Sequence, residues 1–485
     1  MNAFFRVASY LFIAFSMGAA GASEGDLDLR FGMQGYALSN IANMDAEVAS
    51  APVAQADGKI LICETLVPVT SGYIRGFDAN FVVSRFMPDG TLDPAFGAEG
   101  HAVIDFDHGN DACNDLALDG NGRIVAIGTS RPAPAPGANT SLFAIARLNA
   151  DGSPDATFGG GAGKTLLHFN PDNNEFARAK RVRLQSDGKL LIAGDVAGTG
   201  PTEQFFSIAR LDPDGLPDPS FAAQGKLQLH LDTSGQASLT TLLSIALTTD
   251  DRILLVGQDL GGFVLARIEH DGRVDDSFGD HGHIAIAFDE ADYSFGRAPQ
   301  LSAMAVQDDA RIVLAKDSFI CGITDTASQI SFTRLLPNGQ LDSTFGEGGK
   351  TTVTEDRGCT HAADMAMLAD GRILVTVPSP SSTTIKRLQH DGAPDLSFGP
   401  QGNRVYIAPS STNEIHFGRM AVGDRFTYVS GYAHLAPTDA SSALQAGYVS
   451  FVTRVENEPP ASAHSHHARP DFLSLPSTRS TNPPR

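Results

Sequence analysis

The chain has 485 residues, with 56 acidic against 35 basic side chains and a formal net charge of −21. That balance argues against a nucleic-acid partner, whose phosphates call for Lys and Arg, and against charge-driven docking on anionic lipid; cationic partners and metal ions stay open. Trp is absent and Phe numbers 29, so any core has to be built from Phe, Leu, Ile and Val.

Residues 1–22 open with a short basic start ending at Arg6. An apolar run from Val7 to about Met17 follows, then small residues through Ala20-Gly21-Ala22. This order predicts a secretory signal peptide cleaved after Ala22. The rival reading, an uncleaved anchor, needs an apolar run of about 20 residues. After cleavage no membrane insertion is expected, and the mature chain is expected to be periplasmic or secreted.

A repeat then runs along the chain. Its fullest copy spans Phe143 to Gly159: an apolar run, Arg147, a turn at Asp151-Gly152, Asp155, then Phe158. Arg to Asp is eight residues and Asp to Phe is three in Arg85/Asp93/Phe96, Arg147/Asp155/Phe158, Arg210/Asp218/Phe221, Arg267/Asp275/Phe278, Arg334/Asp342/Phe345 and Arg387/Asp395/Phe398. Each unit also carries an earlier apolar strand, a polar turn such as Ser186-Asp187-Gly188, and a second strand such as Leu190-Leu-Ile-Ala-Gly194. A last strand such as His101 to Phe106 closes the unit. Short segments rich in Val, Ile and Phe between Asn, Asp and Gly read as β.

Four antiparallel strands per unit of about sixty residues predict the blades of an all-β propeller. Seven arginine strands (the last at Arg454) and seven Asp-x-x-Phe tails (the first at Asp28 and Phe31) give seven blades. The first tail has no head and the last head has no tail. The strand near Tyr36 is therefore expected to complete blade seven, with Asp28 beside Arg454. The predicted body spans 23–455. From Glu456 to Arg485 the chain is rich in Pro, Ser, His and Thr and reads as a disordered tail.

Ser186 to Gly194 and Ile208 to Gly225 match, nearly word for word, an Asp-Gly-Lys-Ile-Leu-Val-Ala-Gly head and an Ala-Arg-Leu-x-Pro-Asp-Gly-x-Leu-Asp-x-x-Phe-Gly-x-x-Gly tail. In this pattern the chain resembles the delta-60 repeat family of exported bacterial proteins over about Leu27 to Val455. The resemblance implies a β-propeller and no particular activity. Departures are local: Ala222 follows Phe221, and the last head reads Gly423-Asp424.

Arg and Asp at fixed spacing read as a structural latch, since a catalytic residue is needed once and these recur in every unit. The pairs are Arg85/Asp93, Arg147/Asp155, Arg210/Asp218, Arg267/Asp275, Arg334/Asp342, Arg387/Asp395 and Arg454/Asp28. An Arg fork grips a carboxylate, and the Phe is expected to plug the blade interface. Cys63 and Cys113, and Cys321 and Cys359, fall in adjacent blades on one face, which predicts two disulfides; the alternative is free thiols or a metal site. No Cys-x-x-Cys spacing favours zinc.

The same face carries the longest loops, at Glu64 to Asn80, Thr129 to Thr140, Asp195 to Glu203 and Asp317 to Gln329. Strand entries there bring Asp45, Glu47, Asp111, Glu175, Asp292, Asp356, His361, Glu414 and His416 toward the channel mouth. Such carboxylates are candidates for Ca²⁺, against the plainer reading of a solvated acidic rim. No Asp-x-Asp-x-Asp-Gly run, Gly-x-Ser-x-Gly elbow, His-Glu-x-x-His or phosphate loop occurs. His464, His466 and His467 on the tail are a further metal candidate. The expected function is a non-enzymatic binding scaffold, monomeric and without a cofactor, that presents the loop face to a protein or glycan. The alternative is a hydrolase or lyase at the central channel, Ca²⁺-dependent or using paired carboxylates.

Overall fold

A computed structural model of the chain describes residues 24–457 except 40, 42–43, 69–78, 133–139, 171–174, 199–203, 231–240, 259–261, 288–299, 319–327, 356–363, 380–381, 408–411 and 436–446. The expected signal peptide, the chain beyond 457, Cys321 and Cys359 lie outside these residues. Among the described residues there is no α-helix.

Seven antiparallel sheets follow one another along the chain, each of four strands, with Val53–Ala54 added to the first. Neighbouring innermost strands pack on each other around one axis, and that of blade seven (Thr412–Val422) meets that of blade one (Met44–Ala49). The molecule is a seven-bladed β-propeller. Its seventh blade is built from both ends of the chain. Tyr36–Ser39 pairs antiparallel with Gly447–Glu456, in a register that sets Tyr36 opposite Thr453 and Ser39 opposite Ser450. A sheet completed this way leaves no edge inside the ring to pair with another chain.

The fold extends past the expected boundary at Val455. Glu456 and Asn457 are buried. The Glu456 N–H donates to the Asp26 carbonyl, and Asn457 bonds Thr427 and the Gly423 carbonyl. A polar pair at a sequence edge looks like the start of a tail; here its side chains are consumed inside the last blade. Four strands also run further than their apolar cores suggest. Ile60–Pro68, Ile124–Arg131, Leu190–Ala197 and Ile312–Ser318 take in Glu64, Thr129, Asp195 and Asp317, which sequence alone puts in loops.

The core lies between blades rather than within them. Seven buried clusters each join two neighbouring blades, and each contains one repeated Phe: Phe96, Phe158, Phe221, Phe278, Phe345, Phe398 and Phe31. All seven rings are essentially inaccessible to solvent.

The turn glycine of the next blade closes over each plug. Gly215 has φ +84, and a Cβ there would stand 2.5 Å from Phe158 Cε2. Gly215→Ala therefore combines a left-handed backbone with a clash against a ring that cannot retreat. Overpacking of this kind costs about 1–3 kcal/mol. Gly122→Ala is the control, since Gly122 has φ +75 and nothing within 4 Å. Urea denaturation should show a clearly lower midpoint for Gly215→Ala than for Gly122→Ala; equal midpoints would mean that the ring contact is unimportant.

Candidate functional site

The repeated Arg is the centre of each fastening. Arg147 Nε donates to Asp155 Oδ2 at 2.7 Å, and its guanidinium lies 4.6 Å from the Phe158 ring centroid. The other distances between Arg Nε and Asp Oδ2 are 2.8 Å for Arg85 and Asp93, 2.7 Å for Arg210 and Asp218, and 2.6 Å for Arg267 and Asp275. They are 2.8 Å for Arg334 and Asp342, and 2.6 Å for Arg387 and Asp395. The seventh pair spans the chain ends, with Arg454 Nη2 2.7 Å from Asp28 Oδ2.

Each of these arginines but one also reaches into the following blade. Nη1 donates to the carbonyl of Ala150, Pro213, His270, Pro337, His390 or Pro88, the residue just before the next blade's Asp-Gly or Asn-Gly turn. The exception is Arg387, which faces the closing seam. It donates instead to Glu24 Oε2 at 2.8 Å. The Gly25 carbonyl accepts from Tyr406 Oη, and the Glu24 carbonyl accepts from Arg404. The N-terminal segment thus fills the gap between blades six and seven.

Two further residues serve the latch Asp. A hydroxyl two positions on (Thr157, Ser220, Ser277, Thr344 or Ser397) donates to its Oδ1 at 2.6–2.7 Å. A cation from the first turn sits beside its Oδ2, as with Lys189 at 3.0 Å from Asp218 and Arg311 at 3.0 Å from Asp342. Burial pushes these carboxyls up. The hydroxyl, the N–H beside it and the Arg charge outweigh that, and Asp155 is held down at about 2. Asp28, Asp93, Asp218, Asp275, Asp342 and Asp395 are likewise lowered.

Cys63 and Cys113 form a disulfide joining blades one and two. Both lie within their strands, Ile60–Pro68 and Asn110–Leu118, rather than at strand ends. A buried polar cluster tightens the neighbouring seam. Glu64 Oε1 accepts from Ser39 at 2.8 Å and from Ser84, and Ser84 in turn meets His101 Nδ1 at 2.8 Å. Burial raises the Glu64 pKa.

Of the nine residues expected at the channel mouth, two have described side chains, and they are not brought together. Asp111 is fully buried, and its Oδ2 accepts the Phe106 N–H at 2.8 Å. Glu175 does the same one blade on, accepting the Phe169 N–H at 2.7 Å. Each ties the end of one blade to the innermost strand of the next. Burial pushes the Asp111 pKa up to about 6. Asp45, Glu47, Glu414 and His416 are on innermost strands whose side chains there are not described. Asp292, Asp356 and His361 lie outside the described residues. Among the described residues no three His, Cys, Asp or Glu side chains gather as metal ligands would.

The innermost strands carry residues that sequence reading passed over. At equivalent register, opposite the fourth residue of the second strand, blades two to six present Asp115, Arg181, Ser244, Ala303 and Asp364. Blade seven has Met420 at that register, with Arg419 in the bulge just before it. The two carboxylates act alike. Asp115 Oδ2 accepts the Val182 N–H of blade three at 3.0 Å, and Asp364 Oδ2 accepts the Met420 N–H of blade seven at 2.9 Å. Each Asp therefore precedes, round the ring, an Arg next to the N–H it holds. The innermost strand Ala177–Leu184 reads Ala-Arg-Ala-Lys-Arg-Val-Arg-Leu, four cations in an otherwise acidic protein. Lys180 is engaged by Asp195, and Arg183 Nη1 lies 3.2 Å from Asp115. Arg181 Nη1 bonds the carbonyl of Lys180, and among the described residues neither it nor Arg419 forms an ion pair. Burial, followed by the charge of Arg419, pushes the Arg181 pKa down to about 9. The signal is present in the sequence as an unrepeated cationic strand.

The fold and its fastenings define a seven-bladed propeller with one face of repeated turns and one of variable loops. Residues 120–158 and 185–221 match the model of a β-propeller domain of unknown function, DUF5122. No curated protein matches the chain. Among solved structures, it is similar to a protein from Lactobacillus plantarum at 11% identity, over 82% of this chain and 99% of that one, with a TM-score of 0.42. A protein of unknown function from Dyadobacter fermentans matches at 12% identity over 86% and 97%, with a TM-score of 0.39. The α-L-arabinanase of Penicillium chrysogenum, solved with arabinobiose, matches at 12% over 70% and 92%, also at 0.39.

Proposed function

We propose that the protein is an exported, non-enzymatic binding scaffold of the delta-60 repeat type, which holds a protein or glycan on its loop face. The observation that supports this most is the division between its two faces. The repeated residues converge on one face, where latch and plug hold blade to blade. The opposite face is where second strands lead to third strands, and its connections share no pattern. Pro68 to Asn80, Arg131 to Leu142 and Leu435 to Gly447 differ in length and composition. A rigid ring carrying variable loops is the arrangement on which binding residues are usually found. The disulfide supports an oxidising compartment, either the periplasm or the exterior.

The test is to replace 69–78 and 133–139 with Gly-Ser segments of equal length and to measure binding to a glycan and protein panel by surface plasmon resonance. Unchanged melting and at least a tenfold loss of affinity for the bound ligand are expected. A loop-replaced chain that binds as before, or a wild-type chain that cleaves the glycan it binds, contradicts the scaffold role.

A further inference from the structure

We infer that the central channel holds an oxyanion, a ligand carboxylate above all, between Arg181 of blade three and Arg419 of blade seven. This site is separate from the loop face and does not depend on what the loops bind.

Register sets the two arginines near one level of the ring, Arg181 at it and Arg419 one residue before it, with Asp115, Ser244, Ala303 and Asp364 as the other members. The carboxylates there are already engaged. Asp115 takes the Val182 N–H and Arg183, while Asp364 takes the N–H groups of Met420 and Met365. Both arginines act electrostatically on Asp364, yet neither closes on it: among the described residues no ion pair within 4.0 Å forms on Arg181 or Arg419. Among the described residues the level holds two guanidiniums, Arg181 and Arg419, and two carboxylates, Asp115 and Asp364, both of which are taken up by backbone N–H groups and, for Asp115, by Arg183.

Burial and then the charge of Arg419 both disfavour the Arg181 cation. An oxyanion between the two arginines relieves that repulsion. It also supplies acceptors for the Arg181 fork, whose Nη1 otherwise meets a backbone carbonyl. A planar carboxylate matches a guanidinium fork edge to edge. Ser244 and Ala303, at the same level, are small. Such a site accepts one anionic group of a larger ligand, such as a uronate ring or an acidic side chain entering along the axis.

The test uses the full chain with galacturonate and inorganic phosphate as probes, titrated by calorimetry at constant ionic strength against chloride. Saturable galacturonate binding, weakened at least tenfold in Arg181→Gln/Arg419→Gln and unchanged in Arg178→Gln, is the expected result. Phosphate binding more tightly than galacturonate would overturn the carboxylate assignment. Binding unaltered in the double variant, or absent in the wild type, would overturn the site. Should the double variant not fold, crystals of the wild type soaked in selenate decide. An anomalous peak between the two guanidiniums supports the site, and a channel without one contradicts it.

Discussion

Phe158→Ala should lower the stability of the whole ring by about 3–5 kcal/mol, the range for truncating a fully buried aromatic ring. Phe158 lies in the cluster between blades two and three, under Gly215 and against the Arg147 guanidinium. Its removal opens a cavity whose walls are two sheets and a left-handed glycine turn, none of which can close inward. The arginine also loses its ring and keeps its buried carboxylate. Calorimetry should show a large fall in melting temperature with one transition. Replacing a plug at a different seam, such as Phe278, should act similarly because the plug is the same element in each blade. A loss below about 1 kcal/mol would mean that blades are held by something other than the plug.

The second large effect is on pH dependence. The latch carboxyls have folded pKa values below their unfolded ones. Their stabilisation is fully present above the unfolded value near 3.8 and is lost as pH falls through the folded value, about 2 for Asp155. For Asp155 alone that shift corresponds to about 2–3 kcal/mol at most, less what solvent screening removes. Six further latches shift the same way, so acid should unfold the ring steeply between about pH 4 and 2. Asp111 acts in the opposite sense. Its folded pKa is raised to about 6, so its contribution is present below its unfolded value and is lost as pH rises from about 4 through about 6. Glu64, Asp195 and Asp364 are also raised by burial. The melting temperature should therefore peak on the acid side of neutrality and fall on both sides. Asp155→Asn should flatten the acid limb and Asp111→Asn the other. A melting temperature that climbs steadily from about pH 4 to about pH 8 would contradict these assignments.

Much of the architecture is legible in the sequence because a blade repeats its chemistry at fixed spacing. Arg147, Asp155 and Phe158 announce one unit, and the headless tail at Asp28 with the tailless head at Arg454 announces the ring. What the spacing does not reveal is the partner of a donor when that partner is a backbone carbonyl. Ala150, Pro213, His270 and Pro88 share no side-chain chemistry, yet all accept the same arginine bond across a blade interface. The hydroxyl two residues after the latch Asp is visible in five of the units and belongs to the device. Asp111 and Glu175 look like a channel rim, and burial turns them into ties for backbone N–H groups. Arg181 and Arg419 lie in different blades, far apart in the chain, and only ring closure sets them near one level.

On the proposed reading the chain divides into repeated residues that fasten blades and unrepeated ones that bind. Thermal melting with and without galacturonate, on Phe158→Ala and on Arg181→Gln/Arg419→Gln, tests that division directly. Phe158→Ala should melt far below the wild type and, at a temperature where it is folded, still gain stability from the ligand. The arginine variant should melt with the wild type and gain nothing. A Phe158→Ala chain that melts like the wild type, or an arginine variant that keeps the full ligand shift, would contradict it.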